Sequence, residues 1–319
     1  MSMSNKENFK ENYAKKRTET QAFKASEELN KVLHDKESGC YKSWQFADYK
    51  VNKDTLKTTY DEIVLWGRQE AMIRPGWKIE DNEVTVPNLF SKVMGVHENI
   101  KEYKNEINQL IQETNTLFYK RFPINKKRIP KDMNRVYKSV LNIRGKIDKE
   151  KLMTSDYWKY QKLNPMLQNS IADKIIEFCD ISSFWKHKNF KIKLRMSLIN
   201  RIITFIFSLI YDSTRDERIM KISIFAVLTN LSDDLLEILQ KFDYPMKVPK
   251  IIIYNNNNKK NLTFQDAIIL MFMNCMGIDI IIYNPTGTSD IENYIKEENY
   301  DIHRLEYTTD SLPFRRFFN

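Results

Sequence analysis

The residue types best suited to chemistry cluster in one stretch, Asn284-Pro285-Thr286-Gly287-Thr288-Ser289-Asp290-Ile291-Glu292. Asn284, Thr286, Gly287, Thr288 and Ser289 offer the short polar groups that coordinate a phosphate or a sugar. Asp290 or Glu292 can hold a hydroxyl or a cation. Asn255, first of an Asn255–Asn258 tract, supplies a further amide if it lies nearby. The competing reading is an ordinary turn, in which proline stops a strand, glycine bends the chain and serine caps a helix.

The elements around this stretch decide where it sits. Lys250-Ile251-Ile252-Ile253-Tyr254 and Ile278-Asp279-Ile280-Ile281-Ile282-Tyr283 are continuous apolar runs of the kind found in strands covered on both faces. Between them, Thr263 with Asp266 three residues on predicts a capped helix to about Met276, ended by Gly277. Ser289 and Glu292 predict a second capped helix through about Lys296. Strand, helix, strand, helix with short connections predicts parallel pairing. The polar stretch would then leave the carboxyl end of a strand, where open α/β sheets bind ligands, and would feed a helix N-terminus whose amides favour anions.

Other constellations are weaker. His34, His97, His187 and His303 are scattered, and no HExxH, GxSxG, Walker or GxGxxG motif is present. Nothing identifies a nucleophile, a general base, a metal site or a cofactor, although catalytic residues often converge only in three dimensions. Asp233-Asp234 reads as the solvated start of a helix. Cys40, Cys179 and Cys275 are too few and too widely spaced for a disulfide framework or a zinc motif.

Composition frames these motifs. The chain has 319 residues, 42% hydrophobic and 29% charged, as expected of a globular protein. Seven glycines disfavour an all-β fold or a phosphate loop. A net charge of +9 suits polyanionic partners, or reflects a Lys-rich proteome. No secretory leader is evident, and the longest apolar run, Ile202–Tyr211, is far short of the ~20 residues that span a bilayer. A reducing cytoplasm follows as the expected compartment.

Along the chain, residues 1–37 read as a polar helical or flexible arm. Residues 38–119 form a helical or mixed region. It includes a short helix over 88–95 ended by Gly95 and a longer one over 98–119. Residues 120–151 are a basic, linker-like segment; Phe122 and Tyr137 are the aromatics that single-stranded nucleic acid would stack on. Residues 152–245 are helical, with a broad apolar helix over 192–209, and residues 246–319 are the α/β unit. The fold class expected is therefore mixed α and α/β. A largely helical N-terminal and central region precedes a β-α-β-α unit of parallel strands.

Two stretches resemble a known family. Arg74-Pro75-Gly76-Trp77-Lys78 with VPNLFSKVMGV at 86–96 is one, and VPKIIIYNN with GIDIIIYNPTGTSDIENYI at 277–295 is the other. Together they resemble the YceG-like proteins of bacterial tellurium-resistance and stress operons. The motif positions carried over are Arg74, Pro87, Lys92, Gly95, Asn284, Pro285, Gly287, Asp290 and Glu292. The resemblance implies a cytoplasmic protein that acts in tolerance to tellurite, oxidants or other toxicants, alongside other products of its operon. The functional expectation is binding, with or without processing, of a nucleotide- or sugar-like small molecule, anionic in character. The alternative is a non-enzymatic scaffold or nucleic-acid-binding protein using its basic surface.

Overall fold

The computed structural model describes residues 49–180, 184–186, 212–242, 246–256, 262–310 and 312–313, with five positions between 21 and 28. Apart from those five helical positions, the arm expected over 1–37 lies outside these residues, as do the apolar helix over 192–209, Cys40 and part of the Asn255–Asn258 tract.

The centre is a sheet of five strands in the order β5-β6-β7-β4-β8, all parallel. They are β4 (Phe90–Met94), β5 (Thr116–Tyr119), β6 (Lys250–Tyr254), β7 (Asp279–Asn284) and β8 (Asp301–Arg304). The two isoleucine runs are the adjacent strands β6 and β7, with Ile251 beside Ile280 and Tyr254 beside Tyr283. Beside the main sheet lies a small one of β1 (Lys50–Thr55), β3 (Glu83–Asn88) and β2 (Lys78–Glu80).

The period of two along each strand divides the side chains between two apolar layers. Leu89, Val93, Ile252, Tyr254, Ile281 and Tyr283 face one layer with helices α1 (Tyr60–Arg68) and α2 (Ile100–Gln112). Phe90, Ile251, Ile253, Ile280 and Ile282 face the other. There the chain places α3 (Met133–Ser139), α4 (Lys149–Thr154), α5 (Pro165–Asp180), α6 (Asp212–Leu228), α7 (Asp233–Gln240) and α8 (Phe264–Cys275). Helix α8 forms as expected, its Thr263–Asp266 capping box present. It is buried almost all round because it packs between the sheet and α5 and α6. Each large apolar side chain so covered contributes about 1.5–3 kcal/mol.

Three local expectations are corrected. Residues 88–95 are not a helix: FSKVM is β4, a central strand flanked by β7 and β8 and buried on both faces. Tertiary pairing overrides local propensity there. The helix expected over 98–119 ends at Gln112, because Asn115 turns left-handed (φ 58°) and its carbonyl takes the amide of Lys250, starting β5. The last helix of the β-α-β-α unit is two short 3-10 turns, Ile291–Asn293 and Glu297–Asn299. Asp290, not Ser289, caps the first of them.

The basic stretch 120–151 is anchored by Ile124, Met133, Val136, Tyr137, Val140 and Ile147, all in the larger apolar layer. Tyr137 packs edge-on against Phe225 and Phe122 leans on the same core, so both aromatics face inward.

Candidate functional site

At their carboxyl ends β4 and β7 part company. β4 leads into α2 on one face, whereas β7 leads into the Ile291–Asn293 turn, whose Ile291 packs on the other. Neighbouring strands that exit to opposite faces leave a crevice between them, the usual ligand position in such sheets.

The period of two puts Lys92, two residues after Phe90, on the same face as Asn284, two after Ile282, and Asn255, two after Ile253. These three converge with the loop that follows β7. Lys92 is fully buried, with its ammonium 2.8 Å from Asp290 Oδ1, 2.5 Å from Glu292 Oε1 and 3.1 Å from the Thr288 carbonyl. Asn284 donates from Nδ2 to Asp290 Oδ2 (2.7 Å) and to the Thr288 carbonyl (2.8 Å), and its Oδ1 accepts from the Thr286 hydroxyl. Asn255 donates to the same Asp290 oxygen at 3.1 Å. The Thr286 and Thr288 hydroxyls meet at 2.8 Å. Ser289 and Thr288 are exposed at the crest, and Gly287 turns the loop with φ 67°.

Among the residues singled out in the sequence, Asn255, Asn284, Thr286, Asp290 and Glu292 form one network with Lys92. Ser289 and Gly287 shape the loop without joining it. Two further motif positions stand at the rim: the Asn284 carbonyl accepts the Gly95 amide, and the Pro285 carbonyl accepts that of Thr309.

The charge balance bears on ligand class. One ammonium serves two carboxylates, which leaves the cluster net negative. The amides opening the 3-10 turn are already taken by the chain's own acids: Asp290 N–H donates to Glu292 Oε2 (3.0 Å) and Ile291 N–H to Asp290 Oδ1 (2.5 Å). An incoming phosphate at this point meets carboxylate oxygens. A hydroxyl finds acceptors there, as ribose does in dinucleotide-binding folds.

A polar cluster on the α1–α2 face of the sheet was not foreseen. Glu106 is buried and accepts a 2.5 Å hydrogen bond from the Tyr60 hydroxyl. Tyr103 stands edge-on to Tyr283 at 5.8 Å. Burial, with help from neighbouring Tyr283 and Glu106, pushes the Tyr60 phenol far up; burial first, then nearby phenols, does the same for Tyr103. Both remain proton donors at neutral pH. A tyrosine and a glutamate in an amphipathic helix give no local signal, because only the crossing of α1 over α2 unites them.

The remaining motif residues lie at the other end of the sheet. Arg74 and Asp279 form a fully buried two-pronged ion pair, both contacts 2.8 Å. Asp279 also accepts the Leu89 amide, and Arg74 donates to the carbonyl of Pro87 at 3.0 Å. Lys250, aligned with Asp279, is buried with its ammonium on the Val248 carbonyl. Burial pushes it down to about 8, against the opposing pull of Asp279. Among the described residues, no cluster of three or more His, Cys, Asp or Glu side chains could hold a metal ion. No described helix is long and apolar enough to cross a membrane.

The sequence profile of the YceG domain matches residues 57–214 and 186–317. A protein of Bacillus subtilis (strain 168), described as "Uncharacterized protein YceG", is 37% identical over 290 residues, covering 91% of this chain and 49% of that relative. The chain thus spans about half the length of the relative it matches. No solved structure matches it.

Proposed function

The chain belongs to the YceG domain family, and on that premise we propose that it binds a nucleotide- or sugar-like small molecule through its hydroxyls at the crevice between β4 and β7. The observation that carries this reading is the convergence of buried Lys92, Asn255, Asn284 and Asp290 with the partly buried Glu292 at the strand ends. Burying so many polar groups costs stability that an apolar packing would not, and such departures concentrate at functional sites. Asp290 and Glu292 are the hydroxyl acceptors, Lys92 holds both in place, and Asn284 and Asn255 orient Asp290.

The biological setting proposed is cytoplasmic stress response, in tolerance to tellurite and oxidants together with other products of the same operon. The motif resemblance supports it, and loss of the gene should sensitise its host to potassium tellurite. Unaltered sensitivity removes that setting without touching the binding reading.

For binding itself, thermal unfolding with UDP-glucose, ADP-ribose, glucose and ribose as probes should show a rise in Tm with at least one hydroxyl-rich compound. The paired Asn284→Ala and Asp290→Ala change should abolish that rise. A rise that persists in the variant, or no rise with any probe, counts against the site. A nucleic-acid scaffold is the second reading, favoured by the outward basic residues Arg121, Lys126, Arg128, Lys131, Arg135 and Lys138. It requires single-stranded DNA or RNA binding that weakens steeply with salt.

A further inference from the structure

The segment after β8 runs across the strand ends. The Leu305 amide donates to the Met94 carbonyl (2.8 Å), and Val96 and Tyr307 exchange two backbone hydrogen bonds (2.7 and 3.3 Å). The Thr309 amide reaches the Pro285 carbonyl at 2.9 Å. The Leu312 carbonyl accepts from the Tyr254 hydroxyl (2.8 Å) and from Asn256 Nδ2 (3.2 Å). In eight residues the chain touches the carboxyl-terminal exits of β4, β7 and β6 in turn, and so crosses the point where β4 and β7 diverge.

Two glycines make the crossing possible. Gly95 has φ 90°, and a Cβ there would sit 2.4 Å from the Tyr307 carbonyl oxygen. Gly287, at φ 67°, would place a Cβ 2.8 Å from Thr308 Cγ2. The segment nevertheless has little apolar anchorage. Glu306, Tyr307, Thr308 and Asp310 are exposed, and among its described apolar residues Leu305 and Leu312 rest partly buried on the α1–α2 side of the sheet. A segment held by a handful of hydrogen bonds with little apolar burial of its own opens at lower free energy than the core it covers.

We propose that residues 305–310, with Leu312, are a strap over the divergence of β4 and β7, and that the strap lifts as a unit while the sheet stays folded, admitting the molecule that binds beneath it. The part played by the bound molecule rests on the reading given under Proposed function. The lifting does not, and it is measured without any ligand.

Hydrogen exchange on the full chain tests it. The amides of Val96, Leu305, Tyr307 and Thr309 should exchange about a hundredfold or more faster than that of Ile280, whose partner is the Leu89 carbonyl in the core. Gly95→Ala should speed the strap amides a further tenfold or so and leave Ile280 unchanged. Should that variant fail to fold, Tyr254→Phe with Asn256→Ala, which removes both donors to Leu312, should speed Thr309 and the underlying Gly287 amide. Strap and Ile280 amides exchanging at one common rate, or accelerating together in the variants, overturns the proposal. A lifting strap with no probe-induced rise in Tm leaves the strap standing and rejects the binding reading alone.

Discussion

The parallel sheet carries a buried ion network at each end, and the two are built differently. At the amino ends, the guanidinium of Arg74 grips Asp279 with two parallel contacts, and both partners are completed by backbone groups of Leu89 and Pro87. At the carboxyl ends, the single ammonium of Lys92 is shared by Asp290 and Glu292, both on the loop and short turn after β7, and Glu292 keeps 13% of its side chain exposed. A planar fork matched to a carboxylate fixes geometry, whereas an ammonium accepts rearranged partners. The first network therefore fastens the small sheet to the large one. The second is arranged to yield, which is what a site that exchanges internal partners for a ligand requires.

The largest effect expected from this contrast is at the amino end. Asp279→Ala strands a buried guanidinium and should cost about 3–5 kcal/mol in urea unfolding. A cost near that of a surface pair, below about 1 kcal/mol, would show that the end is not fastened.

Lys250 tests the dryness of the same end. Its folded pKa of about 8 lies below the unfolded value of 10.5. The unfolded chain thus binds more protons between those values, so stability should rise with pH across that window by about 3 kcal/mol in total. Below pH 8 the burial cost is borne in full. Lys250→Met should therefore be more stable than the parent by about 2–3 kcal/mol at pH 7, with the gap closing toward pH 10. If water reaches this lysine, parent and variant follow parallel pH profiles.

The smallest effect belongs to the yielding end. Glu292→Gln leaves Lys92 paired with Asp290 and should cost only about 1 kcal/mol. A loss as large as that of Asp279→Ala would erase the contrast.

Sequence legibility divides along the same line. The paired isoleucine strands, the capped helix between them and the placing of Asn255, Asn284, Asp290 and Glu292 near one another follow from local runs and turn residues. Lys92 stood out only as a motif position, and its FSKVM strand read as helical, because a five-residue run has no decisive period and its strand character comes from β7 and β8. The Arg74–Asp279 pair joins residues 205 apart in sequence, and the Glu106–Tyr60 contact needs two helices to cross. Neither leaves a local trace. The capping box read at Ser289 and Glu292 misled for a related reason: Lys92 draws Glu292 down into the sheet, and Asp290 takes over the cap.

The most direct test of the contrast between a fastened and a yielding end is a pair of double-mutant cycles in one denaturation series, Arg74 with Asp279 and Lys92 with Glu292. The coupling expected is about 3 kcal/mol for the first and about 1 kcal/mol or less for the second. Equal couplings, or a stronger one for Lys92 with Glu292, would contradict the account.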